Sequence, residues 1–159
     1  MLIEADSYDK VYQALKWRIP EFFNMGLEVC DRHANTNPDF TALICENANG
    51  DVTQYSFQAL KLLSNKLANI FQEKRLKASD RIGILLPQSV ETGIAHIAAW
   101  KAGMISIPLF TLFGPDALQY RLADSGARAL ITDIENLEKI DLIRDELPDL
   151  DIVIVIDAG

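Results

Sequence analysis

Four residues in the middle of the chain have types that suit ligand contact better than an exposed turn. Phe110, Thr111, Leu112 and Phe113 follow a short apolar run that predicts a buried strand. In open α/β sheets, ligands bind beyond the carboxyl ends of the strands, and this loop would lie at such an end. Its apolar side chains predict either a hydrophobic wall for a bound group or packing against another lobe of the protein.

Cysteine and histidine, common metal ligands and nucleophiles, are sparse in this sequence. Cys30 and Cys45 are the only cysteines and form no CxxC or comparable spacing. This spacing favours the interpretation that both cysteines are reduced thiols in a cytoplasmic protein. His33 and His96 lack partners at ligand spacing, so we expect no metal site.

Several common catalytic motifs are missing from the sequence. No GxGxxG follows a strand, no GxxxxGK[ST] provides a phosphate loop and no GxSxG provides a nucleophile. A phosphoacceptor receiver domain needs paired acids where Pro87 and Gln88 stand. Ser89 and Asp133 follow predicted strands but suit helix N-caps, so we expect them to be structural. The sequence therefore predicts no catalytic residue in this chain.

The charge balance argues against whole classes of partner. The chain has 15 Lys and Arg against 23 Asp and Glu, a net charge of -8. Nucleic acids and anionic membranes are bound through clustered cations, so both are disfavoured. The one basic cluster, Lys74, Arg75 and Lys77, stands where a helix should end and complements its dipole. We expect a cytoplasmic protein, because no apolar run could span a membrane and residues 1–6 lack a secretory signal.

From residue 81 onward, short apolar runs alternate with helical patterns. The runs are residues 82–86, 105–109, 129–132 and 152–156. Such alternation is typical of parallel βαβ units, whose strands are buried on both faces. Ser89 and Asp133 are expected to cap the first and last intervening helices, while Pro115 and Gly126 suit the start and end of the middle one. The sequence predicts an α/β fold, a mostly parallel open sheet with helices on both faces.

The segment before residue 81 predicts two attachments to that sheet. Residues 1–40 are expected to form an N-terminal helical arm that packs on the body, including a helix at 26–34. The apolar side chains expected to make that packing are Tyr8, Tyr12, Leu15, Trp17, Ile19, Phe22, Phe23, Leu27, Val29 and Cys30. Residues 41–46 and 52–55 flank an Asn-Gly turn and predict a β-hairpin. Ser56 then caps a long amphipathic helix.

Five blocks of sequence occur in a distinctive order and spacing. They are residues 23–33, 55–60, 80–89, 98–118 and 120–133. In the longest block an apolar helix ends at Gly103 and a strand runs through Pro108. Together the blocks resemble the AMP-forming acyl-CoA synthetase and ligase family, and the 98–118 block is similar to the one that precedes that family's ATP site. The resemblance identifies the chain as an amino-terminal fragment, most similar to short- and medium-chain acyl-CoA synthetases.

The resemblance implies a two-step ligase. ATP and a carboxylic acid give an acyl-adenylate and pyrophosphate, and coenzyme A then displaces AMP to form a thioester. ATP, Mg²⁺ and coenzyme A are implied for the full-length parent, and none is expected to bind tightly to this chain. The family's phosphate loop, magnesium-binding acid and catalytic lysine have no counterpart before Gly159, so the chain alone is expected to be inactive. The loop of residues 110–113 would face the acyl group or an adjacent lobe.

The resemblance also divides the chain and suggests its partners. Residues 41–159 would be the incomplete first part of an AMP-binding N-terminal domain that packs on the rest of the same polypeptide. A run of β-branched apolar residues near its end suits the centre of a sheet and is hazardous at an edge: Ile152, Val153, Ile154, Val155 and Ile156. We expect an isolated fragment to self-associate through this run. Two alternatives stay open, a stand-alone α/β binding or regulatory module and a purely structural subunit.

Overall fold

The structure, a computed structural model, describes residues 4–17 and 19–156. It contains a four-stranded parallel sheet with helices on both faces and a separate two-stranded antiparallel hairpin, which confirms the predicted α/β fold. The strands are β1 (Thr41–Glu46), β2 (Val52–Ser56), β3 (Arg81–Leu85), β4 (Ile105–Leu109), β5 (Ala129–Asp133) and β6 (Ile152–Ile156). The α-helices are α1 (Tyr8–Ala14), α2 (Arg32–Thr36), α3 (Phe57–Glu73), α4 (Val90–Lys101), α5 (Pro115–Ser125) and α6 (Ile134–Asp141). A π-helical turn, Leu27–Asp31, leads into α2, and a 3₁₀ turn, Arg144–Glu146, follows α6.

The parallel sheet has the strand order β4-β3-β5-β6. The inner strand β3 is paired on both sides, with Ile84 opposite Pro108 of β4 and Ile131 of β5. The run at Ile152–Ile156, which suits the centre of a sheet, lies instead at an edge, because β6 pairs only with β5 within the described residues. Pro108 lies on the opposite edge strand, where a missing N–H is tolerated.

The two faces of the sheet are covered by different helices. On one face, buried residues of β3 and β5 pack against α3 and α4: Ile82, Ile84, Ile131, Phe71, Ala95 and Ala98. On the other face, Leu85 and Leu130 pack with residues of α5 and α6: Leu118, Leu122 and Ile140. Gly83 permits close approach here, since an added Cβ would lie 2.8 Å from Leu130 Cδ1 and 3.0 Å from Leu122 Cδ2.

The predicted helix ends are confirmed. The side-chain oxygens of Ser56, Ser89 and Asp133 each accept a hydrogen bond from the N–H three residues on, at 3.2, 3.4 and 2.8 Å. Pro115 stands in the first turn of α5, and Gly126 ends that helix in the left-handed region at a φ of 58°. These residues fix where each helix begins or ends. Ser89, Pro115 and Asp133 each follow a strand of the parallel sheet, and so also limit the loops at its carboxyl edge.

The predicted arm packs on the body only through its later part. The aromatic side chains expected to pack are exposed, at 81% for Trp17 and 85% for Phe22. In the π-helical turn, Leu27 and Val29 are also exposed, at 48% and 44%, whereas Cys30 is buried as predicted. Of the apolar side chains predicted to make this packing, only Cys30 is buried. The division of the chain at residue 40 stays a prediction.

A buried ion pair fastens this later part to α4. Lys101 Nζ lies 2.6 Å from Asp31 Oδ2 and donates to Asn65 Oδ1 at 2.8 Å. Asn24 Nδ2 donates to the Lys101 carbonyl at 3.0 Å. Gly26 lies so close to α4 that an added Cβ would be 2.6 Å from the Lys101 backbone nitrogen. The segment around residues 24–31 is therefore held by polar contacts and close backbone approach as well as by apolar burial.

Candidate functional site

The loop of residues 110–113 lies beyond the carboxyl end of β4, where the sequence placed it. Phe110 is 69% exposed and Leu112 is 95% exposed. Phe113 instead turns inward and packs against the core between the sheet, α5 and α6. The loop therefore presents two large apolar side chains to the surroundings and anchors itself with a third.

Three contacts hold this loop in place. The rings of Phe110 and Phe113 meet edge to face with centroids 5.4 Å apart. The guanidinium of Arg121 on α5 lies 4.2 Å from the centre of the Phe113 ring, a cation–π contact. Lys139 Nζ on α6 donates to the Thr111 carbonyl at 2.5 Å. The apolar tip is thus exposed on a loop with a defined conformation.

A cleft of about 380 Å³ opens beside the loop, between the start of α4 and β4. Its apolar walls are Leu86, Pro87, Pro108, Leu109, Phe110 and Leu112. Its polar lining residues are Gln88, Thr92, Thr111 and His96. Thr92 Oγ1 donates to the Pro87 carbonyl at 2.6 Å and ties the first turn of α4 to the end of β3. The cleft combines apolar walls with a few polar groups, the usual composition of a small-molecule site.

A chain of hydrogen bonds orients His96 at this cleft. Trp100 Nε1 donates to Ser106 Oγ at 3.0 Å, and His96 Nδ1 lies 3.0 Å from the same oxygen. The indole N–H can only donate, so Ser106 accepts from it and can donate its own hydroxyl proton to Nδ1. That arrangement leaves the ring proton of a neutral His96 on Nε2. Burial lowers the pKa of His96, which favours the neutral ring.

The sequence analysis missed this arrangement, because it considered His96 as a metal ligand or as a partner of a nucleophile, and not as a hydrogen-bond donor in a binding site. The available signal was the spacing of His96 and Trp100, which puts both on one face of α4, followed by Ser106 on the next strand. Within residues 4–17 and 19–156, no three His, Cys, Asp or Glu side chains lie close enough to hold a metal ion.

The other residues considered from the sequence are placed as follows. Ser89 and Asp133 act as helix caps, and Cys30 and Cys45 are both free thiols. The sequence also puts Asp157 directly after the last predicted strand, but this residue lies outside the described residues. No helix in the described part of the chain is long and apolar enough to cross a membrane.

Sequence comparison identifies relatives of this chain. Residues 30–159 match the family described as AMP-binding enzyme. The chain is 35% identical over 136 residues to the mitochondrial acyl-coenzyme A synthetase ACSM3 of Mus musculus, covering 80% of this chain and 23% of that protein. It is 32% identical over 136 residues to the acetyl-coenzyme A synthetase of Xanthobacter autotrophicus, covering 85% and 21%. The chain therefore spans about a quarter of the length of these curated relatives.

Solved structures show the same fold. An acyl-CoA synthetase of Brucella canis superimposes with a TM-score of 0.83 at 26% identity, covering 98% of this chain and 30% of that one. The anthranilate CoA ligase AuaEII, solved with anthranoyl-AMP, superimposes with a TM-score of 0.78 at 26% identity, covering 87% and 26%.

Proposed function

Because this chain belongs to the AMP-binding enzyme family, we propose that it is the N-terminal part of an AMP-forming acyl-CoA synthetase. The reaction joins a carboxylic acid to coenzyme A through an acyl-adenylate, with ATP converted to AMP and pyrophosphate. The observation that carries this proposal is the family match over residues 30–159, together with curated relatives that are themselves acyl- and acetyl-coenzyme A synthetases.

We assign ATP and Mg²⁺ to parts of the full-length protein outside this chain. The sequence has no glycine-rich phosphate loop, and its described residues contain no cluster of acidic side chains that could hold a metal ion. The groups of this chain therefore do not fit ATP with Mg²⁺, and no catalytic step is assigned to them. The chain supplies a scaffold, and its carboxyl-edge loops face the remainder of the protein.

The loop of residues 110–113 is the part of this scaffold that we propose to meet the acyl group or the adjacent lobe. The exposure of Phe110 and Leu112 supports this role, since large apolar side chains at 69% and 95% exposure contribute little to the fold. The anchoring of the same loop by Arg121 and Lys139 supports it too, because a fixed loop can present a defined surface.

Pyrophosphate release by the full-length protein tests the activity. We expect release that depends on both ATP and a short- or medium-chain acid, and formation of acyl-CoA when coenzyme A is added. The 159-residue chain alone serves as the matched control and is expected to release none. If no acid in a panel of straight-chain, branched and aromatic acids supports release by the full-length protein, the synthetase proposal fails.

We propose a cytoplasmic location for this protein. Its support is the two free thiols, one of them buried, which suit a reducing compartment. The alternative is a mitochondrial location, since one relative is a mitochondrial acyl-coenzyme A synthetase. Fractionation of cells that express the tagged full-length protein distinguishes the two, and recovery in mitochondria would contradict the proposal.

Self-association of the isolated chain is expected through β6. Its outer edge is unpaired within the described residues, and Val155 is 38% exposed. An unpaired apolar strand edge is a template for pairing with a second copy. Light scattering of the chain across a range of concentrations should show a rising mean mass, and Val155→Lys should lower it because edge lysines oppose pairing. A constant monomer mass across that range would contradict this expectation.

A further inference from the structure

The cleft beside the loop of residues 110–113 has the size of a ligand site. Its volume of about 380 Å³ lies within the range of roughly 300–1,000 Å³ that small-molecule pockets occupy. Leu86, Pro87, Pro108 and Leu109 give it apolar walls. An occupant would therefore bury a mainly apolar body there.

The charge of the residues that line the cleft limits which polar group a bound molecule can carry. The lining residues of this cleft, all within the described part of the chain, include no Asp, Glu, Lys or Arg. The one titratable side chain is His96, whose pKa is lowered by burial. A carboxylate or phosphate placed in the cleft would lose its hydration without gaining a counter-charge, which is costly. An uncharged polar group has no such penalty.

His96 supplies the hydrogen-bond donor. Ser106 and Trp100 engage and orient the Nδ1 side of the ring, so the Nε2–H is the group left to donate to a molecule in the cleft. A donor whose orientation is fixed in advance by neighbouring hydrogen bonds loses little freedom when it binds a ligand. The complement of an N–H donor in an uncharged cleft is a neutral carbonyl oxygen.

We propose that this cleft binds an uncharged molecule, or the uncharged part of a larger one, in which an apolar body carries a carbonyl oxygen that accepts from His96 Nε2–H. The assignment holds whether or not the full-length protein proves to be a synthetase.

Hexanamide and hexanoate are a matched pair of probes, since they share a chain length and differ in charge. Titration of each into the 159-residue chain at neutral pH, followed by ligand-observed NMR, measures the two dissociation constants. We expect hexanamide to bind more tightly than hexanoate. We expect His96→Phe, which keeps an aromatic ring and removes the donor, to weaken hexanamide binding by about three- to tenfold, the range of one hydrogen bond. Equal or tighter binding of hexanoate, or an unchanged hexanamide affinity in His96→Phe, would overturn the proposal.

A second variant does not depend on the packing of His96. Leu112 is 95% exposed at the rim of the cleft, so Leu112→Lys should leave the fold intact. The added ammonium should reverse the preference and favour hexanoate over hexanamide. A preference unaffected by Leu112→Lys would place the hexanamide site elsewhere and would likewise overturn the proposal. Circular dichroism of each variant checks that it is folded.

Discussion

Replacing Lys101 by methionine is expected to destabilise the folded chain by about 3–5 kcal/mol, because it leaves a buried carboxylate without its counter-ion. The side chains of Lys101 and Asp31 are only 6% and 13% exposed and lie 2.6 Å apart. Methionine keeps the apolar stem of the lysine, so the loss in free energy of unfolding reports mainly on the removal of the charge. Urea unfolding should show a lower midpoint with an unchanged slope.

Two further variants separate the ion pair from general packing. Lys66→Met makes the same chemical change at an exposed position of α3 and should alter stability by no more than about 0.5 kcal/mol. The double variant Asp31→Leu with Lys101→Met should recover most of the loss, since apolar replacement of a buried pair is often neutral. A loss below about 1 kcal/mol in Lys101→Met, the scale of exposed pairs, would show that water reaches this pair.

Phe71→Ala is expected to cost about 3–5 kcal/mol, through lost apolar burial and the cavity left behind. Phe71 has no exposed surface and lies in the core between α3, α4 and the sheet. Its removal should loosen α3 from the body. The measurement is again the free energy of unfolding in urea.

Phe110→Ala is the matched control, with the same atoms removed from a ring that is 69% exposed. Its effect on stability should stay within about 0.5 kcal/mol. Similar losses in the two variants would mean that the loop of residues 110–113 is part of the core, and would remove the case for a binding role.

The parallel sheet was predictable because the sequence patterns that indicate its strands lie within each strand and the residues next to it. The predicted bounds of β1, β4 and β6 agree with the structure. Those of β2 and β5 differ by one residue at one end, and β3 is shifted by one residue at both ends. Buried strands here are short apolar runs, and the residues that limit them are caps and glycines whose backbone preferences are strong. Gly103, for example, has a φ of 69°, a conformation that favours glycine and ends the helix before β4.

The contacts between distant segments were not predictable in the same way. An apolar side chain such as Trp17 shows that burial would be favourable, but it does not show which surface covers it. The partner of Asp31 lies on α4, and no local pattern joins the two residues. The same holds for the cleft, which needs the end of β3, the start of α4 and the loop after β4 to meet.

The order of strands in the sheet has a consequence for how the chain can fold during its synthesis. The first parallel strand to leave the ribosome, β3, becomes one of the two inner strands of the sheet. Each later strand joins an edge that is still open: β4 on one side of β3, β5 on the other, and β6 outside β5. No strand has to enter between two that are already paired, so the sheet can be assembled in the order of synthesis.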